Sequence, residues 1–125
     1  MRGNELRALL HPLLLLLIFE RPSHGYDLIE RLCDLGVPDI EPGQVYRMLR
    51  GMESGRAVVS VWETARSGPA RRRYELTAKG LGELQAWSDR LSRLGGVIDV
   101  WLGRWATASD APHTVPHPSG VAAPR

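Results

Sequence analysis

Residues 42–64 read PGQVYRMLRGMESGRAVVSVWET, and the hydrophobic period changes once inside them. Val45, Met48, Leu49 and Met52 recur at i, i+3, i+4 and i+7, which puts them on one face of an α-helix. Pro42 suits a first helical turn, where its missing N–H is not needed, and acidic Glu41 stands beside the positive helix end. Gly55 closes the helix. Ala57 to Thr64 is then rich in β-formers, as is Arg73-Tyr74-Glu75-Leu76, with the turn-rich Ala65-Arg66-Ser67-Gly68-Pro69-Ala70 between them. The stretch predicts a helix followed at once by a β-hairpin with a long tip.

Upstream, two more helices are expected. Pro12 is read as opening the first, after a break at His11-Pro12, and Leu13 to Phe19 make it apolar nearly all round, so it must be buried on most sides. Arg21 to Gly25 reads as a turn, with Ser23 as the N-cap of a helix running from about Gly25 to Leu35. Leu28, Ile29, Leu32 and Leu35 share its inner face, Cys33 is read as a small buried side chain beside them, and Gly36 ends the helix.

Downstream, Thr77 is expected to cap a long helix starting near Ala78. Leu84, Trp87, Leu91, Leu94, Ile98, Trp101 and Trp105 are spaced 3, 4, 3, 4, 3, 4, the a/d seam of helices that pack along their length. Gly95-Gly96 is expected to kink or loosen it. The seam suits pairing with a second copy, and it suits packing on the chain's own first helix. The fold class is therefore mainly α (α+β): a winged helix-turn-helix with a two-stranded wing over residues 6–77, a dimerisation helix over 78–106 and a disordered tail over 107–125.

Composition narrows the function. A chain of 125 residues, 43% apolar and 24% charged, suits a single core, and a formal net charge of +2 does not by itself select nucleic acid. The single cysteine, Cys33, excludes an internal disulfide and a cysteine-rich zinc site, which points to a reducing, cytoplasmic setting. The run Leu13 to Phe19 is followed by Glu20-Arg21 and falls short of the ~20 apolar residues of a membrane span, so neither a signal peptide nor a membrane segment is expected. No nucleophile motif and no glycine-rich phosphate loop point to an enzyme or a cofactor. His113 and His117 have a helical metal spacing but lie in a Pro-rich tail, so no metal is expected.

Three groups of residues suit duplex DNA. On the outer face of the third helix, Gln44, Tyr46, Arg47, Arg50, Gly51 and Glu53 project, and Gln and Arg can pair bidentately with adenine and guanine in the major groove. The wing carries Arg66, Arg71, Arg72 and Arg73 with no acid between residues 65 and 74, a charge suited to phosphates. Alternation sends Arg71 and Arg73 one way and Arg72 the other, so Arg66 and two of the other three are expected at the DNA. Ser23 and His24, at the start of the second helix, suit a phosphate held by free backbone N–H groups. The rival reading is a winged helix used as a protein–protein interaction module without an operator.

In order and spacing, three segments resemble the PadR family of transcriptional regulators: Glu20 to Leu32 (ERPSHGYDLIERL); Pro42 to Arg50 with Met52-Glu53; and Trp62, Gly68-Pro69-Ala70-Arg71-Arg72 and Tyr74 to Gly80. The resemblance covers about residues 6–106. The resemblance implies a dimeric winged-helix regulator, usually a repressor, whose third helix and wing contact an inverted-repeat operator and whose C-terminal helix dimerises. Tyr46 matches a tyrosine on the DNA-facing side of that helix. Gln44, Arg47 and Gly51 depart from residues common in the family, which bears on operator sequence. The single C-terminal helix resembles the smaller branch of the family. Some members of that branch bind flat aromatic compounds between tryptophans of the paired helices, and Trp101 and Trp105 resemble that site.

Overall fold

The computed structural model of the chain describes residues 7–37, 39–64, 68 and 70–111. Its elements are α1 (Leu10–Glu20), β1 (Ser23–His24), α2 (Gly25–Asp34), α3 (Pro42–Ser54), β2 (Val58–Glu63), β3 (Arg71–Leu76) and α4 (Ala78–Asp110). The chain divides into two compact units at Asp89/Arg90.

In the first unit, α1 lies against α2, α3 and β3. It starts at Leu10, so Pro12 is its third residue and not its first, and the helix runs through His11-Pro12 without the expected break. The first turn has no intrahelical acceptors for its N–H groups, so proline is tolerated there at any of these positions. Leu10, Leu14, Leu15, Leu17 and Ile18 are buried, whereas Leu16 and Phe19 are exposed, so the all-round apolar helix is not all-round buried.

The N-cap of α2 is His24, without a side-chain cap, and not Ser23. Ser23 is instead drawn into the sheet: β1 pairs with β3 at Ser23↔Tyr74 and His24↔Arg73. Only 4% of Ser23 is exposed. Its hydroxyl donates to the Arg21 carbonyl at 3.1 Å and accepts from Arg31 Nη1 at 2.8 Å. Leu28 and Leu32 are buried, and Ile29 packs partly against the core. Leu35 is exposed because the helix ends before it and Gly36 turns the chain away at φ +88°. Cys33 is exposed, contrary to the expectation, because one residue past Leu32 is about 100° around the helix from the core stripe.

Helix α3 has Pro42 in its first turn, with Val45, Leu49 and Met52 buried and Met48 packed partly against the core. Gly55 caps its end with φ −81°, and Arg56 supplies the left-handed turn at φ +65°. The hairpin then runs in register from Val58↔Leu76 to Glu63↔Arg71. The sheet has three strands in the order β1-β3-β2, one more than expected, since a two-residue strand leaves no period to read.

Thr77 caps α4 as expected, accepting the Gly80 N–H at 3.0 Å while its hydroxyl reaches the Arg56 carbonyl at 2.6 Å. Helix α4 passes through Gly95-Gly96 unbroken and continues to Asp110, beyond the boundary expected at 106. The seam has two fates. Leu84 and Trp87, expected to dimerise, pack against the chain's own core, with the Trp87 ring edge-on to His11 at 6.2 Å. Leu91, Leu94, Ile98, Trp101 and Trp105 are exposed. Among the described residues no helix is long and apolar enough to cross a membrane.

Candidate nucleic-acid interface

The core stripe of α3 fixes what its other face presents. Tyr46, Arg47 and Arg50 are exposed and Gln44 is half-buried. Tyr46 is positioned by a missing side chain: a Cβ on Gly25, the first residue of α2, would run into the Tyr46 ring, so only glycine lets the ring lie across that helix start. Between the start of α2, α3 and the wing lies an open cavity of about 340 Å³, lined among others by Tyr26, Tyr46, Arg50, Trp62, Arg71 and Tyr74.

The wing arginines differ from one another. Arg71 is exposed and forms no ion pair among the described residues, as do Arg47 and Arg50 on α3. Arg72 lies on the other face of β3, where its Nη2 donates to Glu53 Oε1 at 2.7 Å and Ser60 Oγ at 2.8 Å. The Ser60 hydroxyl donates to Glu53 Oε2 at 2.5 Å, which closes a ring of three side chains. The Arg72 guanidinium also lies 5.6 Å from the Trp62 ring and 5.8 Å from the Tyr74 ring, within cation–π range. Arg73 donates to Glu63 Oε2 at 2.8 Å and Glu75 Oε2 at 2.6 Å. The expectation of an acid-free wing is thus corrected in space: acids from α3, β2 and β3 reach two of its arginines. Arg66 lies outside the described residues, as do His113 and His117.

At the start of α2 the side chains of both proposed phosphate ligands are already engaged within the chain. The Ser23 hydroxyl is engaged as above. His24 bridges two carboxylates, with Nδ1 at 3.3 Å from Asp27 and Nε2 at 2.7 Å from Glu63. Near these groups, burial pushes the Tyr74 phenol above its ordinary range, opposed by the Arg72 charge and reinforced by Glu53.

The sequence placed Glu53 on the outer face of α3 but not its pairing with Arg72, and it missed Ser60, Glu63 and Glu75. Hairpin register carries a signal for Glu63, which sits opposite Arg71 and diagonal to Arg73. Nothing local points to Glu53, which joins Arg72 from a different element. In the second unit, the Trp101 and Trp105 rings lie 6.5 Å apart at 26° and border, with Val97, Val100, Arg104 and Ala108, an open cavity of about 480 Å³. Among the described residues no cluster of side chains suits a metal ion.

Known proteins place this arrangement. Residues 13–86 match the model of the Transcriptional regulator PadR-like family. No curated protein matches the chain. A PadR family transcriptional regulator from Eggerthella lenta is 30% identical with a TM-score of 0.64, over 78% of this chain and 86% of that one. A conserved protein of unknown function, described as a potential transcriptional factor, is 28% identical with a TM-score of 0.73, over 82% of this chain and 91% of its own. A PadR-like regulator from Bacillus cereus shares the fold at 23% identity and a TM-score of 0.73, over 79% of this chain and 96% of that one. With a family match over more than half its length, the chain belongs to the PadR-like family of transcriptional regulators and is a regulator, not an enzyme.

Proposed function

We propose that the chain acts in the cytoplasm as a repressor that binds a palindromic operator in duplex DNA as a homodimer. The observation that carries this reading is the shared surface of α3 and the wing, where Tyr46, Arg50 and Arg71, which forms no ion pair among the described residues, line one open cavity, while exposed Arg47 and half-buried Gln44 border a separate one along α3. In this reading the first turns of α3 enter the major groove, with Gln44 and Arg47 at base edges, Tyr46 and Arg50 at the groove wall, and Arg71 with Arg66 on phosphates. The exposed seam residues of α4 from Leu91 to Trp105 join those of a second copy. Two-fold symmetry then sets two α3 helices about 34 Å apart, one DNA turn, which requires a palindromic site.

Gel shifts titrated with salt, on DNA from upstream of the chain's own coding sequence, test this. Arg71→Ala weakens binding to every sequence and shallows the salt dependence, whereas Arg47→Ala relaxes base preference. Absence of binding to any duplex, or equal binding of all variants to random DNA, rejects it. The pairing of Arg72 and Arg73 with acids favours the second reading, a protein-interaction module, and the same absence of binding would support it.

A small, flat aromatic effector is proposed to sit at Trp101 and Trp105 and to release the operator. Quenching of tryptophan fluorescence by aromatic cations or phenolic acids, lost in Trp101→Ala, supports this; no quenching across a broad panel removes it.

A further inference from the structure

We propose that Glu53 and Glu63 set the sequence-independent part of this chain's DNA affinity by holding Arg72 and Arg73 in intramolecular ion pairs, away from the phosphate backbone. The inference rests on the DNA-binding reading above and divides the wing cations into free and stored.

Arg72 is held on several sides. Its Nη2 serves Glu53 and Ser60 and its guanidinium faces the Trp62 and Tyr74 rings, against the cost of a buried Nε without a hydrogen-bond partner. Turning it to a phosphate gives up a charge-assisted hydrogen bond and the ring contacts. It also leaves the Glu53 carboxylate, half-buried and already bonded to Ser60, unneutralised in front of an incoming polyanion. Arg73 is bound by two carboxylates, Glu63 and Glu75, and the second oxygen of Glu63 lies 2.7 Å from His24 Nε2. Two guanidinium groups thus stand against three carboxylates, so this part of the wing carries no surplus positive charge. Arg47, Arg50 and Arg71 form no ion pair among the described residues and remain for the DNA.

Non-specific affinity rises with the number of phosphates neutralised, because each contact releases condensed counterions. A chain that stores two of its wing cations binds any duplex more weakly than its arginine count implies. A larger share of its discrimination then falls on the base contacts of α3.

The experiment measures binding of the full chain to a random-sequence duplex across a salt series, with thermal melting as a check on folding. Glu53→Gln keeps the side-chain shape and removes the charge. It is expected to tighten random-duplex binding and to steepen the log–log salt slope by about 0.9, the value for one added phosphate contact. Arg72→Gln alone is expected to weaken random-duplex binding only slightly, through the Glu53 charge it uncovers, and to leave the salt slope unchanged; added to Glu53→Gln it is expected to abolish the gain. Glu63→Gln is expected to act in the same direction with a smaller gain, because Glu75 still holds Arg73; it carries the test if Glu53→Gln does not fold. Unchanged affinity and slope in a folded glutamine variant overturn the proposal. So does Arg72→Gln weakening the otherwise unaltered chain as much as it weakens Glu53→Gln, since Arg72 would then already be on the DNA. A parent chain that binds no duplex overturns the DNA-binding reading itself; a parent that binds while the variants match it overturns only this inference.

Discussion

Gly80 and Gly25 both make room for a neighbour, but the neighbours differ in how they can yield. A Cβ on Gly80 would strike the backbone carbonyl of Ala57 and come within 2.8 Å of Leu76 Cδ1. The carbonyl cannot move without moving the hairpin that follows it, because Ala57 O also receives the Thr77 N–H at 3.0 Å. Gly80→Ala is therefore expected to destabilise the first unit by about 1–3 kcal/mol, read as a lower melting temperature. A Cβ on Gly25 meets the Tyr46 ring first, which can swing away, so that position governs where the ring sits more than whether the chain folds. Tyr74 adds a pH dependence with a definite sign. Its phenol is buried and its pKa is raised, so the folded state favours the neutral form. That contribution is complete below the unfolded value of about 10 and is lost as pH climbs through the folded value. Melting temperature should fall at alkaline pH, and Tyr74→Phe should remove that residue's share of the fall.

At the scale of elements, helices with a periodic core stripe were legible and strand partnerships were not. The stripe Val45, Leu49, Met52 located α3, and the cap at Thr77 located the start of α4, because both depend on residues within a turn or two of each other. The sequence also suggested a weak point at Gly95-Gly96, yet α4 is continuous there. Glycine lowers helix stability through backbone freedom without forbidding the helix, and its neighbours Leu94 and Val97 keep helical geometry. No atom lies within 4 Å of a Cβ added at Gly96, and Gly96 stands off the a/d seam. Gly96→Ala is thus expected to raise stability by about 1 kcal/mol, read by thermal melting followed at the helical circular-dichroism signal. β1 escaped notice because two residues carry no alternation, and its existence changed the role of Ser23 from helix cap to buried sheet residue.

For the whole molecule, the seam is the feature on which the proposed homodimer depends. Its first two positions are used within the chain, where Leu84 and Trp87 pack on the core. Its remaining five, from Leu91 to Trp105, leave apolar surface exposed, with Leu94 at 52% and Trp101 at 62%. An exposed apolar row of this regularity is costly in water unless a partner covers it. Leu94→Glu places a charge on that row and is expected to convert a dimer into a monomer, measured by sedimentation. It should also weaken operator binding far more than random-duplex binding, since only the operator complex needs two half-sites engaged at once.

What residue order alone established here is the succession of helices, hairpin and long helix, the inner face of α3 and the outward direction of Tyr46, Arg47 and Arg50. These are legible because periodicity and capping act between residues a few positions apart. The tertiary structure alone decided that Arg72 and Arg73 of the wing are ion-paired. Glu53 and Arg72 are 19 residues apart, and His24 and Glu63 are 39 apart. Ion pairing depends on distance through space, so the charge a wing presents is settled only when separate elements bring their side chains together.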